Sequence, residues 1–172
     1  MSAGFLLIPI LLIRYGLLAL TSREALRRAA HFAPLFDKEQ AAYWVYQLTT
    51  IGMIVTLFFL TIRANSAWFY IGLGVTVAGT ALYAAATANY AKPGTGGINT
   101  GGLYRVSRNP MYVAYFIYFL GCALMARSLI LFVILLVYQV SAHFIILSEE
   151  RWCLERFGEA YREYMRRVRR YI

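Results

Sequence analysis

The chain has 172 residues, 60% of them hydrophobic and only 15% charged, with a net charge of +9. A soluble domain carries about a quarter charged residues, so this composition excludes an ordinary soluble globule and points to a bilayer. The basic residues flank hydrophobic runs, which makes anionic lipid headgroups a simpler partner than nucleic acid.

Five apolar spans are expected in chain order, at about 4–20, 41–62, 67–91, 110–126 and 128–147. The first, GFLLIPILLIRYGLLAL, lacks the charged start and small-residue cleavage site of a signal peptide. It reads as a retained span, with Arg14 either packed against protein or snorkelling. Segments 41–62 and 67–91 contain no Asp, Glu, Lys or Arg, and each has the roughly 20 residues that a helix needs to cross about 30 Å of hydrocarbon. Spans four and five are separated only by Arg127 and Ser128, so a tight helical hairpin follows. The expected fold is all-α: a polytopic membrane helical bundle of about five transmembrane helices with a C-terminal amphipathic helix. Residues 1–172 form a single integral membrane domain.

Charge placement orients the bundle. Five spans put segments 21–40, 89–109 and 148–172 on one side, with 14 Lys and Arg, and leave Arg63 and Arg127 on the other. The positive-inside rule makes the first side cytoplasmic and the N-terminus external. Residues 148–170 are read as a basic amphipathic helix at the membrane surface, with Trp152, Phe157, Tyr161, Tyr164 and Val168 along one side. Cys122 and Cys153 suggest no disulfide, and His31 and His143 make no zinc pattern.

Three features carry chemistry. Glu149 and Glu150 stand together where the last span meets the tail, and two adjacent carboxylates there are costly to desolvate. One explanation is a solvated helix end paired with tail arginines. The other is a site for a cation, such as a sulfonium or a protonated amine. The second feature is the glycine-rich connection 92–109, KPGTGGINTGGLYRVSRN, which leads to a helix start at Pro110. Arg108 and Asn109 there either hold an anion or serve as a basic anchor with ordinary capping. The third is a polar stripe of Gln139, His143 and Glu150 at spacings of 4 and 7 on one helix face. It serves either interhelical hydrogen bonding or, through His143, base catalysis. The glycines do not follow a β-strand, so a Rossmann site is unsupported.

The run GGLYRVSRNPMYVAYFIYFLG, the following hydrophobic helix, Glu149-Glu150 and FGEAYREYMRRVRRY together resemble the isoprenylcysteine carboxyl methyltransferase family and its phospholipid N-methyltransferase relatives. The resemblance spans about residues 94–172. It implies a methyltransferase using S-adenosylmethionine, with residues 1–91 as N-terminal helices and 92–172 as the cofactor-binding core. It also implies that Tyr104, Arg108, Asn109, Pro110, Tyr112, Glu149 and Glu150 line the cofactor pocket. For catalysis, Glu150 or His143 is the candidate base toward an amine acceptor, and Asn109 either orients the cofactor or plays a substrate-specific part. Asn109 stands where the carboxyl methyltransferases carry histidine, which is closer to the phospholipid branch. Ala114 replaces a common glycine. Phe157-Gly158 and Tyr161…Tyr164 look more like the carboxyl methyltransferase branch. The implied acceptor is a lipophilic membrane-borne molecule bearing an isoprenylcysteine-type carboxylate or a phospholipid amine. Two other readings are an NADPH-dependent sterol-type reductase and a non-catalytic lipid-binding adaptor.

Overall fold

The computed structural model describes residues 1–21, 33–36, 38–92, 94 and 96–172. Arg23, Arg27, Arg28 and His31 lie outside the described residues. Every regular element among the described residues is helical. The first, α1 (Ala3–Thr21), opens as a 3-10 turn over Ala3–Leu6 and widens to π geometry over Leu12–Leu17. There follow α2 (Lys38–Phe59), α3 (Ala67–Tyr90), α4 (Pro110–Ala126), α5 (Leu129–Phe157) and α6 (Glu159–Arg167).

The helix starts obey local chemistry. Ser66 Oγ accepts from Phe69 N at 3.3 Å, and Ser128 Oγ accepts from Leu131 N at 3.1 Å. Each satisfies one of the donors that a helix start leaves unpaired. Pro110 opens α4, where its missing N–H costs nothing. The hairpin between α4 and α5 turns at Arg127, which adopts a left-handed φ of 49°.

Among the described residues, four helices, α1, α2, α3 and α5, are long and apolar enough to cross a bilayer. The fifth apolar helix, α4, has 17 residues and packs along α3. Large apolar side chains such as Trp44, Leu48, Phe58, Ile130 and Val140 point outward and exposed. Such a surface would aggregate in water and is at home in hydrocarbon. The chain is a multi-pass membrane protein.

Two helix pairs build the interior. In α3 against α4, a Cβ added to Gly79 would stand 2.5 Å from the backbone N of Tyr118, and one on Gly72 would stand 2.6 Å from that of Met125. Small residues at such spacing let membrane helices approach to backbone contact. The second pair is α2 with α5. Between the pairs, Met53, Leu57, Tyr118, Phe119, Leu131 and Leu135 are fully buried. The N-terminus closes one end: Ala3 N donates to Leu60 O at 2.9 Å and Ile62 N to Met1 O at 2.8 Å. This pairing draws residues 60–62 out of the helix, so α2 stops at Phe59 and not at 62 as expected.

The last span corrects a sequence expectation. The helix α5 runs to Phe157, ten residues past the expected end at 147, and at 29 residues is about 43 Å long. Glu149 and Glu150 therefore lie inside a continuous helix, where backbone bonding spares them the unfavourable end of a helix dipole. Gly158, at φ 55°, breaks the expected 148–170 helix into the end of α5 and the short α6.

Candidate active site

The polar residues of the connection and of the last span meet at one end of the bundle. The connection is held by its own geometry. Gly102 has φ 55°, and a Cβ there would collide with the Asn89 amide. That amide oxygen accepts from Leu103 N at 2.9 Å. The short 3-10 turn Gly102–Arg105 then buries Tyr104, whose carbonyl accepts from the Tyr164 hydroxyl at 2.7 Å. Burial pushes the Tyr164 hydroxyl up to about 12 and that of Tyr104 well above the usual tyrosine range. Both stay neutral, and Tyr164 can serve as a donor.

Beyond this turn, Arg108 reaches Glu150. Its Nε and Nη2 meet Glu150 Oε1 at 3.0 and 2.8 Å. Its Nη1 donates to Val168 O at 2.7 Å and to Met165 O at 3.1 Å. The other oxygen, Glu150 Oε2, takes Arg170 Nε at 3.0 Å and Nη2 at 2.8 Å. Glu150 is 4% exposed, so a buried carboxylate meets buried Arg108 and half-buried Arg170 through four charge-assisted contacts.

The chain after α6 is laid along the start of α4. Arg108 N donates to Arg169 O at 2.9 Å, and Ser107 pairs with Arg169 in a parallel bridge. Asn109 Nδ2 donates to Arg170 O at 3.2 Å. Tyr171 Oη lies 2.7 Å from His143 Nδ1. The tail is a strap across the site.

Glu149 has a different environment. It is half-buried, and Tyr112 Oη donates to its Oε1 at 3.2 Å; no cation pairs with it among the described residues. The structure thus brings together Tyr112 with Glu149, and Arg108 with Glu150, and places Asn109 and His143 under the strap. Pro110 shapes the helix start and Tyr104 packs beneath the turn. Gln139, one turn before His143, has a buried Oε1 with no partner.

Two features escaped the sequence reading. Arg170 and Tyr171 looked like two more groups in a basic tail, yet they reach Glu150 and His143. Asn99 sits in the glycine-rich connection with a buried Oδ1 that has no partner. Its position in GTGGINTGG was the only available signal. Away from this site, a cleft of about 490 Å3 lined by Arg63, Ala64, Asn65, Ser66 and Arg127 opens at the opposite end of the bundle.

The phospholipid methyltransferase family profile matches residues 67–160, more than half of the chain, and the chain belongs to that family of membrane methyltransferases. The match takes in α3, α4 and α5 and ends just inside α6. No curated protein and no solved structure matches this chain.

Proposed function

We propose that the chain transfers a methyl group from S-adenosylmethionine to a lipophilic acceptor within the membrane, a phospholipid amine or an isoprenylcysteine-type carboxylate, at the cytoplasmic face. One observation carries this reading. Tyr112, from the motif at the start of α4, and Glu149, from α5, lie 37 positions apart in sequence and share a hydrogen bond at the end of the bundle where the glycine-rich connection lies.

The residues present suit such a cofactor. Glu149 accepts from the Tyr112 hydroxyl and has no cationic partner among the described residues, which suits a sulfonium or ammonium cation. Asn99 Oδ1 is a buried acceptor without a donor, which suits a nucleoside hydroxyl or amine. Gly96 and Gly101 have no atom within 4 Å of where a Cβ would stand, leaving room along the connection. When bound, S-adenosylmethionine supplies a methyl group on a cationic sulfur.

In this reading residues 92–172 hold the cofactor and residues 1–91 wall the acceptor. Tyr112 fixes Glu149 by its Oε1, leaving Oε2 to face a cation or to take the proton that an amine acceptor must lose. A carboxylate acceptor needs no base. Alignment in a closed, water-poor site is the main rate term, and positioning alone can supply roughly 7–11 kcal/mol. Both oxygens of Glu150 are occupied, so Glu150 would meet a cofactor directly only if Arg170 withdrew. Arg108 likewise spends its donors on Glu150 and the backbone of the tail. These two, with Asn109, hold the wall of the pocket, and His143 reaches it through Tyr171. The basic side of the bundle rests on anionic headgroups.

The test is to incubate membranes containing the protein with methyl-labelled S-adenosylmethionine and to identify labelled lipophilic products by mass spectrometry. Label in a phospholipid headgroup or in a prenylated cysteine ester is expected. Absence of label from endogenous lipids and from both added acceptor classes would overturn the reading.

A further inference from the structure

We propose that Arg63 and Arg127 form a site for the phosphate group of an anionic phospholipid, at the end of the bundle away from Glu149. Both arginines line the cleft of about 490 Å3 at that end, and both also line a second cleft of about 340 Å3 with Thr61 and Met125. The proposal stands apart from the methyl-transfer reading and shares no residue with it.

Among the described residues these are the only basic side chains at this end, and the fold brings them to one cavity from two different turns. The chain offers them no counter-charge. No Asp or Glu occurs before residue 24 or between residues 40 and 148, and the described segments at this end all come from those stretches. Neither arginine forms an ion pair among the described residues. Two guanidiniums around one cavity repel each other, and an anion between them turns that repulsion into attraction. The starts of α3 and α5 lie beside the cleft and add the positive ends of their dipoles.

Helix packing fixes the cleft. A Cβ on Gly72 of α3 would stand 2.6 Å from Met125 N of α4, so the two backbones touch close to this end. The turns that carry Arg63 and Arg127 are thereby held at a set separation, and a ligand has little ordering cost to meet. Arg127 adopts φ 49°, where Asn or Gly would be less strained, so backbone preference does not explain an arginine there.

The rim of the cleft selects the kind of anion. Phe59, Trp68 and Leu129 are exposed, and each follows or precedes by two positions a residue that lines a cleft, Thr61, Ser66 and Arg127 in turn. Exposed apolar side chains with a tryptophan among them mark the boundary between hydrocarbon and water. A ligand here has its charge between the arginines and its tail against apolar side chains, which describes a lipid. The guanidinium fork matches the oxygens of a phosphodiester. Two such groups with no acid beside them favour a headgroup of net negative charge over a zwitterion.

The experiment uses the full chain in neutral detergent, with Ala64→Cys as a reporter in the cleft. Ala64 is exposed, and maleimide labelling at this position is told apart from that of the native Cys122 and Cys153 by peptide mass. Its rate is followed as phosphatidylglycerol, phosphatidylcholine or inorganic phosphate is added. Phosphatidylglycerol is expected to slow labelling at the lowest concentration of the three. Arg63→Gln together with Arg127→Asn, which keeps a residue suited to the left-handed turn, should raise the midpoint of that protection about tenfold or more, as loss of charge-assisted hydrogen bonds implies. The midpoint is read, and not the rate itself, because the arginines also alter the reactivity of a nearby thiol. No protection by phosphatidylglycerol, or the same midpoint in the variant, overturns the proposal. Inorganic phosphate acting at the same concentration would assign the cleft to a soluble anion, and phosphatidylcholine doing so would show that net charge is not read; each overturns it as well. Should the double variant not fold, Arg63→Gln alone takes its place. A rise of about threefold is then expected, and no rise overturns the proposal.

Discussion

Glu150 meets four N–H donors from two arginines, whereas Glu149 meets one tyrosine hydroxyl. The two substitutions should therefore separate. Glu150→Gln leaves buried Arg108 and the strap's Arg170 without their counter-ion, and breaking a buried pair from one side costs about 3–5 kcal/mol. A markedly lower melting temperature in detergent is expected. Glu149→Gln keeps both the volume and an acceptor for Tyr112. It should leave melting unchanged and weaken S-adenosylmethionine by about tenfold or more in calorimetry. Full cofactor affinity in Glu149→Gln would remove that carboxylate from the site. The pair was legible in sequence as costly charge at the end of an apolar run. The division of labour between its members was not, because it depends on which side of α5 each residue faces and on where the tail returns.

At the scale of elements, the approach of α3 to α4 is set by glycines whose hydrogens touch the facing backbone. Gly79→Ala would push a methyl group to 2.5 Å from Tyr118 N, and overpacking of this kind costs typically about 1–3 kcal/mol. Gly74, on the same helix, has nothing within 4 Å of its Cβ position. Gly74→Ala should be neutral or slightly stabilising through helix propensity. Thermal melts of the two variants in one detergent check the contrast, and equal loss in both would exclude close packing as the cause. The spans were readable because apolar runs of membrane length are unambiguous. The end of α5 was not, because hydropathy falls at Ser148 while the backbone bonding continues to Phe157 and only Gly158 interrupts it.

For the whole molecule, the five apolar helices put residues 63–66 and 127 at one end and the connection, α6 and the strap at the other. We propose that the second end is the cytoplasmic one, since the basic residues of the connection, α6 and the strap gather there and the positive-inside rule favours that side. Single-cysteine variants at Asn65 and Thr100, both exposed, would report the orientation. In intact cells a membrane-impermeant maleimide should label Asn65→Cys and spare Thr100→Cys until the cells are opened. The reverse pattern would invert the topology. The strap makes the same end interdependent: Arg108 and Asn109 hold residues 168–170, and Arg170 and the adjoining Tyr171 in turn hold Glu150 and His143.

Composition and the lengths of uncharged runs were enough by themselves to establish a membrane bundle, because hydrocarbon accepts only segments that satisfy their own backbone and carry almost no charge. The resemblance carried by the motif from Tyr104 to Tyr112, the glutamate pair and the tail pointed to a methyltransferase family, and the family profile over residues 67–160 agrees. What only the tertiary structure decided is who meets whom. Arg108 and Asn109 read as either an anion site or a basic anchor at a helix start, and the fold turns them onto the chain's own tail. Arg14 read as either packed against protein or snorkelling, and the fold leaves it half-buried on the π-helical stretch of α1. A charged side chain in an apolar interior takes its role from the groups that replace water around it, and those come from parts of the chain that no local pattern connects.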